Sequence, residues 1–90
     1  MKYRKLRKAK EAAADADVDF TYVCCLLSSL QRVRNILYVN RIFDADLNNL
    51  IKIEKSLITI LDYVGAGFVI DDWEQVKRDV KAEEQLNERK

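Results

Sequence analysis

Residues 17–64 read DVDFTYVCCLLSSLQRVRNILYVNRIFDADLNNLIKIEKSLITILDYV, without a single proline or glycine. From Asp17 to Val39, residues Val23, Leu26, Leu30, Val33 and Leu37 recur at helical spacing on one side. Asp17, Thr21, Ser28, Arg32 and Asn35 fall on the other. From Asp44 to Val64 a second helical pattern runs through Leu47, Leu50, Ile51, Ile53, Leu57, Ile58, Ile60, Leu61 and Val64. Asn48, Lys52, Lys55, Thr59 and Asp62 oppose it. Between the two, Asn40 suits the left-handed conformation that ends a helix and Asp44 suits the cap of the next, with Phe43 placed to pack on Leu47. The stretch therefore predicts two long amphipathic helices folded back antiparallel.

Neither helix has the narrow stripe of a two-stranded coil. The apolar arc of the second covers about half the circumference, which is the pattern of a bundle. The start of the first is apolar nearly all round, at Phe20, Tyr22, Val23, Cys24, Cys25, Leu26 and Leu27. A helix of that kind is expected to be covered on more than one side, by a third helix or a second subunit. The expected core or oligomer face is Phe20, Val23, Leu27, Leu30, Leu50, Leu57, Leu61 and Trp73.

Outward from the hairpin, Gly65 and Gly67 end the second helix, and Phe68, Val69 and Ile70 form an apolar connector. Asp71 and Glu74 have the spacing of a capping box, which predicts a short C-terminal helix with Trp73, Val76 and Val80 inward. From Lys81 onward the chain is almost wholly charged and reads as a frayed or solvated extension. Upstream, residues 1–16 combine cations with Ala12, Ala13 and Ala14 and show no continuous apolar stripe. Acids at Asp15, Asp17 and Asp19 suit the start of the first long helix. The organisation is a basic helical arm over 1–16, a core domain over 17–80 and a charged tail over 81–90. The fold class is all-α: a long antiparallel helical hairpin with a short C-terminal helix, resembling a three-helix bundle.

Ninety residues, 49% hydrophobic and 34% charged, describe one small globular domain. A chain so short withdraws only a little over about 60% of its unfolded surface from water, so self-association is an expected source of further stability. The net charge of +1 conceals an uneven layout. Residues 1–10 hold six cations and no acid, whereas the other eighty hold ten cations and fifteen acids.

The chemistry available is sparse. No histidine occurs, which removes the commonest general base and most zinc sites. Gly65–Ala66–Gly67 lacks the lysine and preceding strand of a phosphate-binding loop. Ser28, Ser29 and Ser56 lie within helices, away from any base at plausible spacing. Catalysis, cofactors and metals are therefore not expected. Cys24 and Cys25 are adjacent on a helix, so they diverge and cannot form an ordinary disulfide with each other. As buried, inert thiols they point to a reducing cytoplasmic setting. No secretory or membrane-spanning segment is expected, because acids interrupt each apolar run.

Two charges break the apolar pattern. Glu54 lies within the apolar arc of the second helix and Arg34 on the apolar flank of the first, at similar distances from the turn. They are expected to form a semi-buried ion pair or to meet a partner. A second candidate site is the basic arm, with Lys2, Arg4, Lys5, Arg7, Lys8 and Lys10 positioned to neutralise phosphates without sequence specificity. Two functions follow as expectations. The first is a protein-binding regulator or assembly adaptor that forms homo-oligomers and binds another protein. The alternative is a nucleic-acid-associated factor acting through the arm. In size and composition the chain resembles the small helical proteins that bacteriophages encode, such as DNA-packaging small subunits, polymerase-binding inhibitors and anti-defence proteins. That resemblance is of general character and assigns no residue a role.

Overall fold

A computed structural model describes residues 3–39 and 44–88, and in it the chain is an all-α bundle. Helix α1 spans Arg4–Asp15, α2 Phe20–Val39, α3 Asp44–Val64 and α4 Trp73–Glu88, with a 3-10 turn over Gly67–Asp72 leading into α4. Helices α2 and α3 form the antiparallel hairpin, 50 Å being the longest dimension of the molecule. The expected roles of Asn40, Phe43 and the Asp44 side chain fall outside the described residues.

The first departure from expectation lies at the end of α1. Asp17 adopts a left-handed φ of 58°. Its N–H reaches Ala14 O at 3.0 Å, while the Val18 N–H reaches Ala13 O at 2.9 Å. This is the Schellman termination, built on an aspartate where glycine is usual. Asp17 therefore closes α1 instead of opening α2. Asp19 opens α2, its Oδ1 accepting from the Thr21 N–H at 2.8 Å. The same device ends α3. Gly65 has φ +86°, its N–H reaches Asp62 O at 3.0 Å, and the Ala66 N–H reaches Leu61 O at 2.8 Å.

The second departure is α1 itself. Leu6, Ala9 and Ala13, spaced for one helix face, are buried in the core together with Val23, Leu26, Leu27, Leu30, Leu61, Val64, Ala66, Val69, Trp73 and Val76. The stripe exists, but two of its three members are alanines. Small residues let the backbones of α1 and its neighbours approach closely, so a segment of low hydropathy still contributes a packed face. Ion pairs hold its edges: Lys5 Nζ lies 2.6 Å from Asp72 Oδ1, and Lys10 Nζ lies 2.5 Å from Glu83 Oε1.

The C-terminal segment is also helical, with α4 continuing to Glu88 and Ala82 and Glu83 half-buried. The expected capping-box glutamate is otherwise engaged. Glu74 Oε1 accepts from the Gln31 side-chain amide and from Lys77 Nζ, tying the start of α4 to α2. Trp73 is buried against α2 with its indole N–H unpartnered, an unfavourable feature that its large apolar burial outweighs.

The core sits at one end. Among the described residues from 31 to 60, none is fully buried. Of the expected core face, Val23, Leu27, Leu30, Leu61 and Trp73 are buried, whereas Phe20, Leu50 and Leu57 are only half-buried. The hairpin thus projects beyond the four-helix body as a two-helix arm.

Candidate interaction surface

A helix turns about 100° per residue, so burial can be followed around each helix of the hairpin. In α2 the buried line runs through Val23, Leu27 and Leu30. On one flank of it lie Phe20, Cys24 and Gln31, all half-buried. This flank is covered. The Lys10 ammonium stands 5.7 Å from the Phe20 ring centroid, Gln31 Oε1 accepts from Lys77 Nζ at 3.1 Å, and the Gln31 amide reaches Glu74. Helices α1 and α4 therefore lie against that side. Between them and α2 is a shallow cavity of about 260 Å³ lined by Lys10, Phe20, Thr21, Cys24, Val80, Glu83 and Glu84.

On the other flank of α2 lie Tyr22, Cys25, Ser29 and Ile36, all exposed. Tyr22 and Cys25 belong to the run expected to be covered on more than one side. Only α3 and the α1–α4 layer cover it, and the third side is open. In α3 Ile53 and Ile60 lie about a quarter-turn from buried Leu61 and Ser56 about two-fifths of a turn, all exposed, with Tyr63 nearly opposite Leu61. Because α2 and α3 run antiparallel, flanks on the same rotational side of their buried lines share one face of the hairpin. The two exposed rows form a single surface opposite α1 and α4. Its apolar and small residues are interrupted by two exposed cations, Arg32 between Ser29 and Ile36 on α2 and Lys52 one turn from Ser56 on α3.

The pattern-breaking pair is brought together. Arg34 Nε lies 3.1 Å from Glu54 Oε2, joining α2 to α3 at the level where Ile70, Asp71 and Trp73 line a cavity with Arg34. Their side chains are 36% and 15% exposed, so the carboxylate is the more withdrawn partner. The contact fixes the relative height of the two helices and leaves neither charge on the open face.

The basic cluster is divided. Lys5 and Lys10 are engaged with Asp72 and Glu83. Arg4, Arg7 and Lys8 are exposed on α1, with Arg7 also engaged in an interaction, and Lys2 lies outside the described residues. Part of the charge that would meet phosphate therefore docks α1 to the body.

The cysteines differ from the expectation of two buried thiols: Cys24 is half-buried and Cys25 exposed. Burial pushes the Cys24 thiol up from its ordinary value, with Cys25 and Glu84 adding to the shift and Lys10 opposing it. Hydrogen bonds from Gln31 and Lys77 lower the Glu74 carboxyl. Among the described residues no cluster of histidine, cysteine or acidic side chains has the grouping of a metal site, and no helix is long and apolar enough to cross a membrane.

Sequence reasoning had identified the apolar excess but not the open face. The position of that face depends on where α1 and α4 dock, and the visible signal was the row Ile53, Ser56, Ile60, which repeats at alternating three- and four-residue steps without a charge. No family model matches the chain, and no curated protein or solved structure matches it.

Proposed function

We propose that this chain is a non-enzymatic, protein-binding adaptor or regulator of an intracellular, reducing compartment, and that its working surface is the open face of the α2–α3 hairpin. The supporting observation is the exposed double row of Tyr22, Cys25, Ser29 and Ile36 on α2 and Ile53, Ser56 and Ile60 on α3, left uncovered beside the core cluster. Small residues at the middle of two neighbouring helices permit close approach of further helices, and aromatic and aliphatic residues around them supply apolar area to bury. The engagement of Lys5 and Lys10 within the body favours this reading over phosphate binding through α1.

A photo-crosslinking amino acid at position 56, compared with one at exposed Lys81 on α4, tests the proposal in the native cellular background. Polypeptide adducts are expected from position 56 in large excess over position 81. Equal yields from both positions, or adducts to nucleic acid alone, would reject the open face as the working surface.

A further inference from the structure

We infer that the cavity between α2, the 3-10 turn and the start of α4 binds an apolar α-amino acid that carries a free ammonium, as the free molecule or as the first residue of a polypeptide. The site lies on the covered flank of α2 and does not depend on the reading of the open face.

The cavity has a volume of about 190 Å³. Leu27 and Leu30 of α2 and Ile70 of the 3-10 turn give it apolar walls, and Trp73, the first residue of α4, lines it beside them. An apolar cavity of about 150 Å³ admits benzene, so the space here corresponds to about eight or nine heavy atoms. Leucine is a molecule of that size.

The polar residues around the cavity fall into two groups. Arg34 donates to Glu54, and Gln31 and Glu74 are joined to each other and to Lys77, so these are already engaged. Trp73, Asn35 and Asp71 are not. Trp73 is 6% exposed, and its indole N–H has no acceptor. Asn35 and Asp71 are exposed at the rim, and among the described residues their side chains have no hydrogen bond or ion pair. The cavity thus combines apolar walls with one buried donor, one amide and one anion.

These groups set the chemistry of the occupant. A buried donor without a partner carries a cost that an acceptor removes. Water fills that role poorly, because a buried water needs about two to four polar partners and these walls are apolar. Asp71 makes the opposite demand, for a cation. A simple anion would be repelled there, and an apolar solute would leave the indole N–H unpaired. An α-amino acid carries all three groups on one carbon. Its ammonium meets Asp71, an oxygen accepts from the indole N–H and the Asn35 amide, and its side chain packs on Leu27, Leu30 and Ile70. The first residue of a polypeptide presents the same groups, with a carbonyl in place of the carboxylate. Because Asp71 is exposed, its pairing is screened and adds little, and the apolar contact supplies most of the affinity. So small a ligand is expected to bind in the millimolar range.

Trp73 is the chain's one tryptophan, so a single indole N–H signal in nitrogen–proton correlation spectra reports on the site. Titration of the full chain with L-leucine and with L-leucinamide is expected to move that signal downfield and to saturate. Tighter binding of leucine assigns the site to a free amino acid, and equal or tighter binding of leucinamide assigns it to a polypeptide N-terminus; both support the inference. Glycine is expected to bind at least about tenfold more weakly than leucine. Asp71→Asn is expected to weaken leucinamide about threefold to fivefold with unchanged circular dichroism, while Glu84→Gln, exposed and outside the cavity, leaves the affinity as it was. N-acetyl-leucinamide, which lacks the ammonium, is expected to show a loss at least as large as that of Asp71→Asn. Absence of a saturable shift of the indole signal overturns the inference. So do glycine binding as tightly as leucine, N-acetyl-leucinamide binding as tightly as leucinamide, and equal effects of Asp71→Asn and Glu84→Gln.

Discussion

Replacement of Arg34 and Glu54 by leucine, singly and together, has an unequal expected outcome that follows from their exposures. Glu54 is 15% exposed and Arg34 36% exposed, and they meet through one hydrogen bond of 3.1 Å. In Arg34→Leu the carboxylate loses its charged partner where it has little access to water. Removing one member of a fully buried pair costs about 3–5 kcal/mol. The partial exposure here screens the interaction, and about 2 kcal/mol is the appropriate scale. In Glu54→Leu the guanidinium, with a third of its surface already in solvent, turns outward, and the new leucine joins the apolar arc of α3. That loss is expected to be less than about 1 kcal/mol. The double variant, with no stranded charge, is expected within about 1 kcal/mol of the parent. For a domain of this size, 1 kcal/mol moves the midpoint by about 4–8 °C, so Arg34→Leu melts about 10 °C early and the double variant near the parent temperature. Thermal and urea unfolding followed by far-ultraviolet circular dichroism measures all three. Equal losses in the two single variants, or a double variant as unstable as Arg34→Leu, would refute the view that burial of Glu54 governs the energetics of the pair.

The docking of α1 is tested by Leu6→Ala: with Leu6 1% exposed in the core cluster, a loss of about 2–4 kcal/mol in urea unfolding is expected, and a neutral result would mean that α1 contributes no packing. The cysteines are expected to alkylate in order, exposed Cys25 first and half-buried Cys24 slowly, as read by mass spectrometry of timed samples. The Cys24 pKa is raised by folding, so its contribution to stability is fully present below the ordinary thiol value and is lost as the pH rises through the folded value. A Cys24→Ala variant should therefore lose less stability than the parent across that alkaline window.

What was readable from the sequence was what periodicity encodes. Two long helices, their antiparallel return and the stop at Gly65 follow from helical spacing and from a residue suited to positive φ. Arg34 and Glu54 were visible because each interrupts an apolar arc, and their distances from the turn put them within reach. What escaped notice had other signs. Ala9 and Ala13 carry little hydropathy, so a stripe made of them does not stand out, yet their small size is what lets α1 lie close. Asp17 resembled a helix opener because acids favour helix N-termini, but the Ala13 and Ala14 carbonyls needed a left-handed residue beyond them, and aspartate tolerates that conformation. The open face is a non-local property. Tyr22 and Cys25 look no different in sequence from Val23 and Leu26, and only the docking of α1 and α4 on the opposite side determines which pair meets water.

The same asymmetry explains why the hairpin is longer than its body requires. A core spanning α1, the base of α2 and α3, the 3-10 turn and α4 is closed by the residues around Leu61 and Val76. Helices ending at that level would already complete a stable fold. The chain instead extends both by several turns, keeps them in register with Arg34–Glu54, and retains Ile36, Ile53 and Ile60 in water on one face. Exposed isoleucine adds nothing to a monomer, and a buried ion pair is weak as a source of stability but effective at specifying how two helices align. The Arg34–Glu54 contact is thus best understood as setting how α2 and α3 align, with Glu54 the more withdrawn of the two charges.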